Sequence, residues 1–170
     1  MMKIIGAKGK IKNVEDFLEK IIIFAKKNGL IIQAFDADFV FGKKHIISVV
    51  EHAKRAFSRK TNTTNSLEKE ILLYASCERQ LKLAIPKIGV KKGITKIAFV
   101  FIENKKKKIS NKIVDELLKF LSLSKDDKVL EGDENTLKRF GIKEDEIKTV
   151  NRKKYCDLIL EKVAMVDIIK

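Results

Sequence analysis

Residues 95–102 read TKIAFVFI, and from Ile97 to Ile102 every side chain is apolar. A strand with this pattern has no face to turn toward water, so it is expected at the centre of a sheet with cover on both faces. The other β-type runs are shorter or more broken. Residues 3–12, KIIGAKGKIK, alternate loosely around two glycines and suit an opening strand, while LIIQAF (30–35) and FVF (39–41) are brief apolar runs.

Between these runs the spacing is helical. Asn13 caps a segment with Glu15 and Asp16 in its first turn, in which Val14, Phe17, Leu18, Ile21, Ile22, Phe24 and Ala25 recur at helical intervals up to Lys26, Lys27, Asn28 and Gly29. Gly42 marks a change to a helix from about Lys43 to Phe57, and NSLEKEILLYASCERQLKLAI reads as one long helix or two, its last turn weakened by Pro86. Ser110 caps a segment with Ile113, Val114, Leu117, Leu118 and Leu121 at core spacing. After a polar stretch at 122–150, Tyr155, Ile159, Val163, Val166 and Ile169 share one helical face. Few strands, unequal helices and no repeat point to an α+β fold, with helices packed on a small, mainly antiparallel β-sheet. A chain of 170 residues, 45% of them hydrophobic, is expected to form a single domain over 1–170.

Lys and Arg number 37 against 23 Asp and Glu, a net charge of +14. An excess of that size suits a polyanionic partner, nucleic acid ahead of a membrane surface; a Lys-rich solvated surface is the competing explanation. Cys77 and Cys156 stand alone, which fits neither a disulfide framework nor a paired-Cys metal site. No basic cap with an apolar leader and no span of about 20 apolar residues is present, so a cytoplasmic location without membrane insertion is expected.

Candidate chemistry is sparse. GAKGK (6–10) lacks both the full spacing and the Ser or Thr of a phosphate loop, and reads better as a Gly-bearing strand turn. His45 and His52, seven apart on one helix, have no neighbouring Cys or carboxylate pair to complete a metal shell and are expected on the surface or against a partner. Cys77 has no base near it in sequence and is expected to be structural. Asp36 and Asp38 could act with His45 in a small enzyme acting on nucleotides, although turn chemistry or anchoring of a lysine explains the pair more simply. No catalytic residue, metal or cofactor is assigned.

Residues 54–70, KRAFSRKTNTTNSLEKE, join two helices without Gly or Pro. Ile46, Val49, Val50, Ala53, Ala56 and Phe57 form the core side of the preceding helix, and Lys44, Ser48, His52, Arg55 and Arg59 collect on the opposite side. That donor-rich stripe runs into Lys60 and the Thr and Asn loop. Its cations can pair with phosphates, His52 can stack on a base, and the amides of Asn62 and Asn65 can read base edges, which suits an unpaired strand better than a duplex groove. Equally, Asn65 with Glu68 can be a capping pair, so the loop is either a cap or a grip. The run KKKK (105–108) adds a basic turn.

Two blocks carry a resemblance. FDADFVFGKKHIISVVEHAKRAF (35–57), through Asp36, Ala37, Val40, Gly42, His45, Ala53, Arg55 and Ala56, and EILLYASCERQLKLAIPKIGVKKG (70–93), through Glu70, Leu73, Tyr74, Arg79, Gln80, Ala84 and Gly89, resemble the small kinase-binding subunit of the KEOPS complex, the PRPK-binding protein family. The match is good over 33–93, extends to the opening strand and helix and to EKVAMVDIIK, and is weak between 104 and 150. The resemblance implies a non-catalytic regulatory subunit of archaeal type. It would bind the complex's small atypical protein kinase, an ATPase, while the assembly makes N6-threonylcarbamoyladenosine in tRNAs that read codons beginning with A. It also implies help in recruiting tRNA by its single-stranded 3′ end, which falls here on His52, Arg55, Arg59, Lys60, Asn62 and Asn65. Tyr74, Arg79 and Leu83 are the expected kinase interface, since apolar, aromatic and Arg anchors dominate interfaces. No DNA partner is expected.

Overall fold

A computed structural model describes residues 1–104 and 108–170. In chain order they form β1 (Met2–Lys8), α1 (Val14–Asn28), β2 (Leu30–Asp36), α2 (Gly42–Arg59), α3 (Leu67–Ser76), α4 (Leu81–Ile88), β3 (Lys96–Glu103), α5 (Asn111–Phe120), the short β4 (Ser124–Lys125), α6 (Glu134–Arg139), α7 (Glu144–Lys148) and α8 (Tyr155–Ile169). These elements group into two compact units, Met1–Ala37 with Val90–Val129, and Asp38–Gly89 with Leu130–Lys170.

In the first unit the apolar run becomes β3, flanked by β2 and β1 in the order β2-β3-β1-β4, with every pairing antiparallel. Phe99 pairs with Ile5 on one side and Ala34 on the other. Its alternate residues Ile97, Phe99 and Phe101 join Phe17 and Ile21 of α1 and Val114, Leu117 and Leu118 of α5 in one core, and Ala98, Val100 and Ile102 are buried as well. The α+β expectation therefore holds. α1 is closed as its sequence dictates: the Asn13 side chain accepts from the Asp16 N–H at 2.9 Å, and Gly29 ends the helix in the left-handed region at φ 61°.

The second unit is helical. α2 buries His45, Ile46, Val49, Val50, Ala53 and Ala56, packing on α3 and α8, while α3 is buried on all sides from Glu70 to Ser76. Two expectations change and one open alternative is decided. FVF is not a strand, because the chain leaves β2 through a 3-10 turn at Ala37–Phe39 and enters α2 at Gly42. The 65–85 stretch is two helices, broken where Cys77 takes φ 58° and closes α3. Ile169 is 43% exposed, so the core face of α8 is Ile159, Val163 and Val166. Of the basic run at 105–108, residues 105–107 lie outside the described residues. Among the described residues no helix is long and apolar enough to cross a membrane.

Gly6 shows how tightly the first unit closes. Its N–H donates to Asp127 Oδ1 and its carbonyl accepts from the Asp126 N–H, both at 2.9 Å. A Cβ at this position would stand 2.3 Å from the Asp126 oxygen and 2.5 Å from Val129 Cγ2. Gly6→Ala is expected to cost about 1–3 kcal/mol by overpacking, read as a lower urea midpoint at unchanged slope. An unchanged midpoint would show that the 126–129 segment yields freely.

Candidate functional site

The loop after α2 is built from the inside. Lys60, at φ 58°, closes the helix in the left-handed region that most residues avoid, with its N–H turned back to the Ala56 and Phe57 carbonyls. The Thr61 N–H then donates to the Ala56 oxygen at 2.9 Å. Ser66, rather than Asn65, caps α3, its hydroxyl accepting from the Lys69 N–H, so the capping pair lies one residue later than Asn65 and Glu68.

Between these two ends the loop folds over Glu70, which is 0% exposed. Its Oε2 accepts from the N–H of Thr63 (3.1 Å), the N–H of Thr64 (2.9 Å) and the Thr64 hydroxyl (2.8 Å), and its Oε1 accepts from Lys170 Nζ (2.6 Å). A buried carboxylate is tolerated only when paired and hydrogen-bonded, and here every donor needed is supplied by the loop and by the end of α8. Burial acts to raise the Glu70 pKa, but the bonds from Lys170, Thr64 and Thr63 together outweigh it and hold the carboxyl below its ordinary range.

Lys170 also lies over the Tyr74 ring, 4.6 Å from its centroid. The Tyr74 hydroxyl donates to Asp167 Oδ1, while Asp167 Oδ2 lies 2.7 Å from His52 Nδ1. Burial, followed by the Asp167 carboxylate, pushes the Tyr74 phenol up, which keeps it a donor. Arg55 Nη2 is 2.9 Å from the same His52 nitrogen. One nitrogen cannot donate and accept together, and the anionic Asp167 is the stronger claimant for its proton.

The residues assigned to RNA therefore divide. Arg55, Arg59, Lys60 and Asn65 are exposed. His52 faces Asp167 and Tyr74 with only 15% of its side chain exposed, and the Asn62 amide donates to the Thr64 oxygen at 2.8 Å, so both hold the loop and helix in shape. Of the residues assigned to the kinase, Arg79 and Leu83 are exposed, whereas Tyr74 is fully buried in α3 and presents no surface. A cleft of about 430 Å³ opens beside the loop. It is lined by Thr63, Thr64 and Asn65 on one side, Arg79, Gln80 and Lys82 on the other, and Leu73 and Leu81 between, with Lys69 at the loop side. Three cations and two amides beside the half-buried Leu81 suit a small phosphate-bearing ligand.

Other candidates fall to structural roles. His45 is buried rather than on the surface, because its spacing to Val49 and Ala53 places it on the core side of α2. Its Nδ1 accepts from the Phe41 N–H at 3.2 Å. Burial drives its pKa down to about 4, with a partial offset from the Ala75 carbonyl. Asp36 pairs with Lys91 at 3.1 Å, and the Asp38 carbonyl accepts from Arg139. The Cys77 thiol is pushed up to about 12 by burial, against the pull of Lys87 and Lys162, which removes the thiolate a nucleophile needs. Among the described residues no group of three or more His, Cys, Asp or Glu could hold a metal ion.

Sequence reasoning did not single out Glu70, Asp167 and Lys170 as one group, nor Thr63, Lys69, Gln80 and Lys82 as part of the cleft. The available signal was Glu70 within the otherwise apolar face of α3, since a charge at a core position requires a partner. Residues 9–167 match the family model for kinase binding protein CGI-121, and the chain belongs to that family of kinase-binding proteins. Among curated proteins no match is found.

Glu70→Gln leaves the shape and removes the charge, and is expected to cost about 3 kcal/mol at pH 7. Because the folded pKa lies below the ordinary 4.5, the charge stabilises the fold above that pH and its contribution fades as pH falls through the lowered value. Denaturation curves between pH 7 and 3 should therefore show the gap between wild type and variant narrowing below about pH 4.5. A gap that does not change with pH would contradict the buried anion.

Proposed function

We propose that this chain is a non-catalytic, archaeal-type subunit of the KEOPS complex, which forms threonylcarbamoyladenosine in tRNA. It binds and regulates the small kinase/ATPase subunit and helps recruit tRNA through the single-stranded 3′ end. Membership of the kinase-binding family supports the first role. The observation that carries the second is the cleft between the loop and Arg79, which combines cations for phosphates and amides for base edges. It is too small for a duplex and of a size for an unpaired nucleotide, while the exposed Arg55, Arg59 and Lys60 continue the positive surface.

The kinase role falls on the exposed apolar side of α4, where Leu83 and Ile85 are about half exposed (49% and 50%), with Arg79 just before the helix. Tyr74 serves that surface only by holding the helices behind it. The mechanism is binding alone: phosphate contacts supply salt-dependent affinity, and the cleft selects an unpaired end over a helix. Regulation follows when the docking surface binds one kinase state better than another.

The test is tRNA binding at fixed salt, with and without the 3′ single-stranded end, by wild type, Arg59→Ala and Asn65→Ala, alongside capture of the kinase subunit by wild type and Leu83→Glu. Removing the tail is expected to weaken wild-type binding at least about tenfold, in line with about 1.5–3 kcal/mol for a hydrogen bond to a charged phosphate, and each loop variant to lose most of the tail's effect. Leu83→Glu is expected to reduce kinase capture. Equal binding of intact and tailless tRNA would overturn the tail reading and favour a general RNA-binding surface.

A further inference from the structure

We propose that Glu70 is the positioning residue of the 61–66 loop and that, through it, the shape of the loop depends on the last turn of α8. The inference goes beyond the RNA reading and stands on the geometry of the second unit alone. Glu70 and Tyr74 lie four apart and so stack on one face of α3; Asp167 lies in the last turn of α8 and Lys170, three positions on, is the residue that caps it. The two helices are fastened rung to rung. Lys170 binds Glu70, Tyr74 binds Asp167, and the ammonium of Lys170 rests on the Tyr74 ring between them.

The amides of Thr63 and Thr64 and the Thr64 hydroxyl join this ladder at the carboxylate, beside the backbone bond from the Glu70 N–H to the Ser66 oxygen. The Thr64 N–H donates to Glu70 Oε2, and the Thr63 N–H is shared between Oε2 and Oε1, the oxygen that also accepts from Lys170. Glu70 is 0% exposed and the Lys170 side chain 6%, so water does not readily replace either partner. Moving Lys170 away leaves a buried anion held by the loop alone, and the relief open to it is to admit water, which means lifting Thr63 and Thr64. Those two residues line the cleft, so its wall moves with them.

The experiment is amide hydrogen exchange on the full chain for wild type, Lys170→Met and Glu70→Gln. In Lys170→Met the Thr63 and Thr64 amides are expected to exchange at least about tenfold faster, equivalent to ~1.4 kcal/mol, while Val49 and Val50 in α2 and Phe99 in β3 keep their protection. Glu70→Gln should act on the same two amides. If Glu70→Gln proves too unstable to measure, Lys170→Met decides alone. Unchanged Thr63 and Thr64 amides in Lys170→Met would overturn the proposal. So would a uniform acceleration across the whole second unit, because that marks a pair with a merely structural role.

Discussion

One buried carboxylate organises the second unit. Glu70 opens the stretch of α3 that is buried on all sides, where a lone anion would be prohibitively unfavourable, and the surrounding chain is arranged to prevent that. A loop turns two backbone N–H groups and a hydroxyl inward, and the end of α8 supplies a cation. The loop's path, the seating of α8 and the cleft wall are consequences of satisfying this one group.

This arrangement explains why the connection at 60–66 does without Gly and Pro. Its bends are fixed by hydrogen bonds to specific acceptors rather than by permissive residues, and the left-handed turn at Lys60 is held by carbonyls of α2. Thr and Asn serve twice: Thr64 and Asn62 bond inward, while Asn65, with Lys69 bonded to its side chain, faces the cleft. The loop is therefore a cap and a presenting surface together, with Ser66 performing the cap.

The fold was largely legible because it rests on periodicity. An apolar run at 97–102 became the inner strand β3, and the Asn13 and Gly29 signals marked both ends of α1. FVF failed because three apolar residues specify burial and not conformation, and Val40 is buried without being in a strand. The site was legible only in part. Helical spacing put Arg55 and Arg59 outside, and the same spacing puts His45 with Val49 and Ala53 on the core side, which the absence of metal-ligand neighbours does not reveal. Tyr74 looked like an interface anchor by residue type, and its burial came from α3 being covered on every side. The link from Glu70 to Lys170 spans 100 residues, a pairing that no local pattern encodes.

The chain belongs to a family of kinase-binding proteins. In its second unit the polar loop lies over a buried charge that Lys170, just past α8, neutralises. The measurement that bears most directly on this account is amide chemical-shift mapping of the chain on adding a short single-stranded RNA carrying the tRNA 3′ tail. The account predicts shifts concentrated at Thr63, Thr64, Asn65, Lys69, Arg79 and Gln80, with α1 and the sheet undisturbed. Shifts scattered over the basic surface and sparing those residues would contradict it.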